Sequence, residues 1–218
     1  MADSAQKDTH KDWAGDAQNA STDGEFKRDT NYIGDRILAS VTGDNPQPSA
    51  SGNGETLDWP VQPHRYRLIA ARACPWAHRA VIVRRLMGLE DVISLGLAGP
   101  THDKRSWTFD LDPGGLDPVL QIPRLQDAYF ARFPGYPRGI TVPAIVEESS
   151  GKVVTNDFNS MVRDFQTEWT EYQREGAPNL LPPAEQQEEM EEINDFIFRK
   201  LNNGVYRAGF SASQEAYE

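Results

Sequence analysis

The sequence predicts an α/β fold, and three observations carry the prediction. A run of strand-forming residues, Arg65–Ala71, leads straight into Cys74-Pro75 and a helical pattern; a second short strand, Val92–Leu95, follows that helix; and two further strand-like runs are joined by Ser149-Ser150-Gly151 ahead of another helix. A helix between two strands is the crossover that a parallel pair needs, and a short link containing Gly marks a hairpin.

Residues 1–60 are rich in Asp, Ser, Gly, Asn and Pro, with scattered aromatics at Trp13, Phe26, Tyr32 and Trp59 and no sustained period. They read as an irregular arm whose aromatics can dock it onto a folded body, with Val41–Thr56 as its most flexible part. The first helix, Trp76–Leu89, rests on apolar residues at Ala77, Ala80, Val81, Val83, Leu86 and Met87. Pro75 takes the first position, where its missing N–H costs nothing, and Gly88 is the stop. Residues 97–139 form a long insertion with loop signals at Gly99-Pro100, Pro113-Gly114-Gly115 and Pro134-Gly135 and little regular pattern; loops of this length inside a domain are usually functional. Thr141–Glu147 and Lys152–Thr155 make the hairpin, and Asn156 or Asp157 caps the helix that runs to about Trp169. Strand, helix, strand, hairpin and helix over residues 61–170 is the order of a thioredoxin-like domain.

After Pro178, Pro182 and Pro183 the pattern is purely helical. Ala184–Asn202 carries Met190, Ile193, Phe196, Ile197 and Leu201 near three- and four-residue spacing, which predicts a buried face, and its glutamates form the wet one. A further helix begins near Ser211. Two helices make a poor independent domain. Residues 171–218 are therefore expected to be the incomplete front of a longer helical domain, the alternative being a naturally short chain that dimerises to cover the face.

Lys and Arg number 22 against 33 Asp and Glu, a net charge of −11. Such a chain repels phosphate backbones, and no basic patch offsets the repulsion, so neither nucleic acid nor an anionic membrane is an expected partner. The amino terminus shows no basic-then-apolar leader, and the longest aliphatic runs are far too short to span a bilayer. A single cysteine excludes an internal disulfide, and His10, His64 and His102 have no acidic residues at ligand-like spacing, so no metal is expected. A reduced cytoplasm is the expected location.

The chemistry concentrates at Cys74-Pro75-Trp76-Ala77-His78-Arg79. A cysteine that leaves a strand at the amino end of a helix meets unsatisfied amides and the positive end of the dipole, which stabilise a thiolate. The residue three places on is Ala77 rather than a resolving cysteine, so a second thiol must come from solution. The other reading is that Cys74 is a small buried hydrophobe. Val142-Pro143 opens the strand that faces the cysteine in this fold order, where a cis peptide presents the Val142 backbone to an extended ligand; a trans turn is the alternative. Asn156-Asp157, at a helix start, either offers amides to a carboxylate or simply caps the helix. Trp107 either walls a pocket or anchors the insertion. His78 and Arg79 sit one turn from the sulfur; they read as solvated helix residues, with structural packing an alternative for His78, or as general bases.

On these residues the chain resembles the glutathionyl-hydroquinone reductases, the Xi class of glutathione transferases related to the Omega class. The likeness covers roughly Asp23–Glu218. Besides the cysteine block it rests on Trp107 within Ser106-Trp107-Thr108-Phe109, and on Asn202–Phe210 continued by Ser213–Glu218. The resemblance implies that the helical stretch opens an all-α glutathione-transferase domain and that the chain is truncated within it. It places the catalytic cysteine at Cys74, the substrate-site tyrosine at Tyr206, the thiol-site tryptophan at Trp107 and the cysteinyl-binding strand start at Thr141-Val142-Pro143. Asp157-Phe158 stands where the family has Glu-Ser on the γ-glutamyl end of glutathione. Phenylalanine cannot donate the serine's hydrogen bond, so the cosubstrate is glutathione or another small thiol such as mycothiol.

The implied activity is reduction of S-glutathionyl-hydroquinone-type thioethers through a Cys74 mixed disulfide, with no permanently bound cofactor. A small thiol and an aromatic small molecule are the partners, and a homodimer is the arrangement common in the family. The alternatives are a thioltransferase or dehydroascorbate reductase that uses the same sulfur, and an inactive ligand-binding fragment. For Tyr206, packing at the domain junction is the alternative role.

Overall fold

Helices cover both faces of a four-stranded sheet, and for that reason the strand Tyr66–Ala71 is buried along its whole length. The computed structural model describes residues 19–20, 24–40, 59–100 and 102–218; His10, Trp13 and the run Val41–Thr56 lie outside them. The strands are β1 (Asn19–Ala20), β2 (Phe26–Lys27), β3 (Tyr66–Ala71), β4 (Ile93–Ala98), β5 (His102–Asp103), β6 (Ser106–Trp107), β7 (Ala144–Glu147) and β8 (Val153–Thr155). The helices are α1 (Pro75–Met87), α2 (Leu125–Arg132), α3 (Phe158–Thr167), α4 (Ala184–Ile197), α5 (Asn203–Gly209) and α6 (Gln214–Tyr217). The described residues divide into two compact units. One runs from Tyr32 to Ala177, and the other joins the segment before Tyr32 to Pro178–Glu218.

In the first unit the sheet order is β4-β3-β7-β8, with β3 parallel to β4 and antiparallel to β7, and β7 antiparallel to β8. The two-residue period of the strands sorts their side chains. Tyr66, Leu68, Ile145 and Val154 pack with Ala80, Val83 and Met87 of α1 and Met161, Val162 and Phe165 of α3. Ile69, Ala71, Ala144, Val146 and Val153 pack on the other face with Leu125, Ala128 and Tyr129 of α2. This is the thioredoxin-like arrangement that the element order predicts. Gly88 ends α1 in the left-handed region (φ 75°), donating its amide to the Arg84 and Arg85 carbonyls; a Cβ there would also meet the Arg174 side chain at 2.5 Å.

The insertion 97–139 is more regular than its sequence suggests. Its loop signals hide a hairpin, β5–β6, and a two-turn helix, α2. Leu125, Ala128, Tyr129 and Arg132 are buried at the helical spacing that is the missed signal. Arg132 escapes an apolar count because its charge is buried: it pairs with Asp35 at 2.8 Å and donates to the carbonyls of Val153 and Val154. The insertion also supplies Asp117, fully buried against Arg67 at 2.9 Å. Gly96 is open at that place because a Cβ would lie 2.8 Å from the Asp117 carboxylate.

The arm from Tyr32 onward is tied down. Ile33 donates its amide to Asn156 Oδ1 (2.7 Å) and accepts from Thr155 Oγ1 (2.6 Å), Arg36 pairs with Asp164, and Trp59 is buried. In the second unit α4 passes through a five-residue π turn, Phe198–Asn202, into α5, and Ser213 caps α6 through the Ala216 amide. The expected buried face of α4 is not observed. Ile193, Phe196 and Leu201 are each more than half exposed.

Candidate active site

Cys74 ends the turn after β3 and stands at the N-cap of α1, in extended conformation, with Pro75 at the first helical position. Its amide donates to the Ala71 carbonyl and its carbonyl accepts from the His78 amide, so the backbone on both sides of the sulfur is fixed. The side chain is half-buried, and Sγ lies 3.5 Å from the Val142 carbonyl oxygen. Cys74 is thus neither sealed in the core nor fully open, and it faces the residue that the sequence paired with it. The Val142–Pro143 peptide is cis.

Thr141, just ahead of that peptide, is held twice. Its carbonyl accepts from Tyr129 Oη at 3.0 Å, and its Oγ1 accepts from Asn156 Nδ2 at 2.8 Å. Asn156 is buried and uses both ends of its amide, one on Thr141 and one on the arm at Ile33. From the sequence alone Asn156 is a cap or a ligand contact. A polar side chain immediately before the cap residue was the available signal, and burial decides its role, since a buried amide must be paired at both ends.

Asp157 is the cap. Its Oδ1 accepts from the amides of Asn159 and Ser160, and its Oδ2 from Ser160 Oγ at 2.7 Å. Phe158 opens α3 but is only 4 % exposed. Its ring lies 4.7 Å from Trp76 and edge-on to Tyr32 at 5.6 Å, so the starts of α1 and α3 are joined by aromatic packing beside the cysteine. Trp107, on β6, is half-buried with His102 edge-on at 4.9 Å, and it packs against the same apolar cluster as Cys74. His78 and Arg79 are exposed on α1. Among the described residues no group of three or more His, Cys, Asp or Glu side chains is placed to hold a metal ion.

Cys74, Val142, Pro143 and Thr141 therefore come together at one end of the sheet, with Asp157 and Phe158 on the adjoining helix start. Tyr206 belongs to the second unit. Its ring packs on Phe26 at 5.5 Å and on Phe210 at 5.7 Å.

Residues 73–168, which hold all these elements except β3, the arm and Tyr206, match the glutathione S-transferase N-terminal domain. A solved glutathione transferase from Gordonia bronchialis is 60% identical over 85% of this chain, with a TM-score of 0.74, and 53% of that structure is covered. Residues 73–168 form a glutathione S-transferase N-terminal domain. The chain's homologues carry the names of the Xi class and of the glutathionyl-hydroquinone reductases. The Xi transferase of Phanerochaete chrysosporium is 30% identical, covering 91% of this chain and 60% of its own, with a TM-score of 0.76. The glutathionyl-hydroquinone reductase YqjG of Escherichia coli is 34% identical over 91% of this chain and 58% of its own length, and its structure has been solved with glutathione bound. The chain spans 50 to 60% of the length of the first three curated relatives it matches. No described helix is long and apolar enough to cross a membrane.

Proposed function

We propose that this chain is part of a thiol-dependent reductase that cleaves S-glutathionyl-hydroquinone-type thioethers through a mixed disulfide at Cys74. The single observation that carries the reading is the half-buried sulfur at the start of α1, 3.5 Å from the Val142 carbonyl. A helix N-terminus favours thiolate over thiol, and partial exposure leaves room for a soluble partner. In this reading residues 61–170 bind the thiol and residues 171–218 open the helical domain that presents Tyr206.

The Cys74 thiolate attacks the thioether sulfur. A sulfur–sulfur bond forms as the carbon–sulfur bond breaks, the bonding pair leaves with the ring carbon, and a proton supplied to that carbon completes the free hydroquinone. Tyr206 is assigned the proton donor, hydrogen-bonding the aromatic oxygen or protonating the ring carbon. A second thiolate from solution then attacks the thiol-derived sulfur of the mixed disulfide. The products are a soluble disulfide and the regenerated Cys74 thiolate, so two thiol equivalents are oxidised as the ring carbon is reduced. With Ala77 three residues on, the chain holds no resolving sulfur of its own. This chemistry fits a reducing compartment such as the cytoplasm.

Trp107 and the Thr141-Val142-Pro143 segment are assigned to the thiol site, together with the start of α3 at Asp157-Phe158. The identity of the thiol turns on that helix start. Asp157 is engaged as a cap and Phe158 packs on Trp76, so no hydroxyl stands at position 158 for a γ-glutamyl group. This favours a place for a second thiol, such as mycothiol, beside glutathione. The test is hydroquinone release from an aryl thioether by the full-length protein, with each thiol in turn. Cys74→Ser is expected to lower turnover by about a thousandfold or more. Wild-type turnover in that variant would rule the reading out, and faster turnover with mycothiol would assign the thiol.

A further inference from the structure

We propose that Arg28 is the positioning residue for Tyr206; the inference rests on the assignment of Tyr206 as the proton donor of the proposed reaction. Both residues lie in the second unit. The Arg28 guanidinium carbon stands 4.3 Å from the centroid of the Tyr206 ring and 5.4 Å from that of Phe26. Its Nε donates to Asn203 Oδ1 at 2.6 Å. Asn203 and Tyr206 are three residues apart and so share a face of α5, which lets one side chain engage both.

The segment that carries Arg28 is itself fixed to this helix at two places. The Gly24 carbonyl accepts from the Ala212 amide at 2.9 Å, just past the end of α5, and the buried Phe26 ring packs on Tyr206 and Phe210 at 5.5 and 5.8 Å. Tyr206 is therefore bounded by Phe26, Phe210 and a guanidinium. The π turn Phe198–Asn202 ends immediately before Asn203, so the register of the helix changes ahead of the residues Arg28 contacts; such turns are frequent at functional sites.

A cation over the face of an aromatic ring is attracted by the ring quadrupole. Here it does two things. It fixes the ring plane and hence the direction of the hydroxyl, and it draws electron density from the phenol, which strengthens the O–H as a donor to a substrate oxygen gaining negative charge. Arginine suits the place because a planar guanidinium can lie over the ring while its Nε stays directed at Asn203, whereas an ammonium supplies only the charge.

The test is a cycle of variants in the full-length protein, read as kcat and KM for an aryl thioether alongside the rate of Cys74 alkylation. Arg28→Gln is expected to lower kcat about tenfold, with the alkylation rate unchanged. Arg28→Lys should recover part of the loss, and in a Tyr206→Phe background Arg28→Gln should cost less than about twofold. An equal cost in both backgrounds, or wild-type kcat in a folded Arg28→Gln protein while Tyr206→Phe is impaired, overturns the proposal and leaves Tyr206 its role. Wild-type turnover in Tyr206→Phe removes the role of Tyr206 itself. The thermal midpoint of each variant separates these outcomes from a failure to fold, and Arg28→Lys keeps the comparison open if Arg28→Gln does not fold.

Discussion

α3 and α4 carry apolar residues at similar spacing and end in opposite environments. In α3, Met161, Val162 and Phe165 are buried against the sheet beside α1; in α4, Ile193 and Phe196 are more than half exposed. The spacing states which face of a helix is apolar, and it does not state what covers that face. In the first unit the cover is the sheet, whose own alternation supplies the complementary surface. Among the described residues of the second unit, no element other than α4 is longer than seven residues.

The largest effect that sharpens this contrast is expected at Phe165. Truncating a fully buried ring leaves a cavity, so Phe165→Ala should destabilise the protein by about 3–5 kcal/mol, measured as the shift in denaturant unfolding. A small cost would mean that the α1–α3 layer is far looser than its burial implies.

The second prediction concerns the ion pair that ties the arm to α3. Burial pushes the Asp164 carboxyl up to about 6, against the opposing pull of the Arg36 guanidinium. The folded state then holds this proton more tightly than the unfolded one. The stabilisation is complete below the unfolded value of about 3.9 and is lost as pH rises through about 6. Stability measured against pH should therefore fall across that window by about 3 kcal/mol more in the wild type than in Asp164→Asn. Parallel curves for the two proteins would contradict it.

Phe196→Ala gives the smallest effect. An exposed ring without a cover should change stability by about 0.5 kcal/mol or less. A cost approaching that of Phe165→Ala would show that another chain segment or a second copy covers the stripe in the intact protein.

Much of the first unit was legible because local residues and their surroundings agree there. The helix beginning at Pro75 and stopping at Gly88, the hairpin turning at Gly151 and the cap at Asp157 each follow from chemistry within a few residues. What escaped depends on distant partners. α2 was hidden because Arg132 is buried by pairing with Asp35, almost a hundred residues away in the chain. Asn156 looked like a helix cap because its true partners, Thr141 and Ile33, adjoin it only after folding. The arm reads as irregular, yet it holds the paired strands β1 and β2, and Trp59 and Ile33 are buried in the first unit and Phe26 in the second. Arg28 gave no signal at all, since a lone arginine in a polar segment acquires meaning only from the ring it lies over.

Intact mass of the full-length protein, mixed with one equivalent of an S-glutathionyl hydroquinone thioether and no free thiol, tests the central claim most directly. The account predicts one glutathionyl group on Cys74 for each hydroquinone released, removable by a second thiol. Hydroquinone release with Cys74 left unmodified and reactive would contradict it.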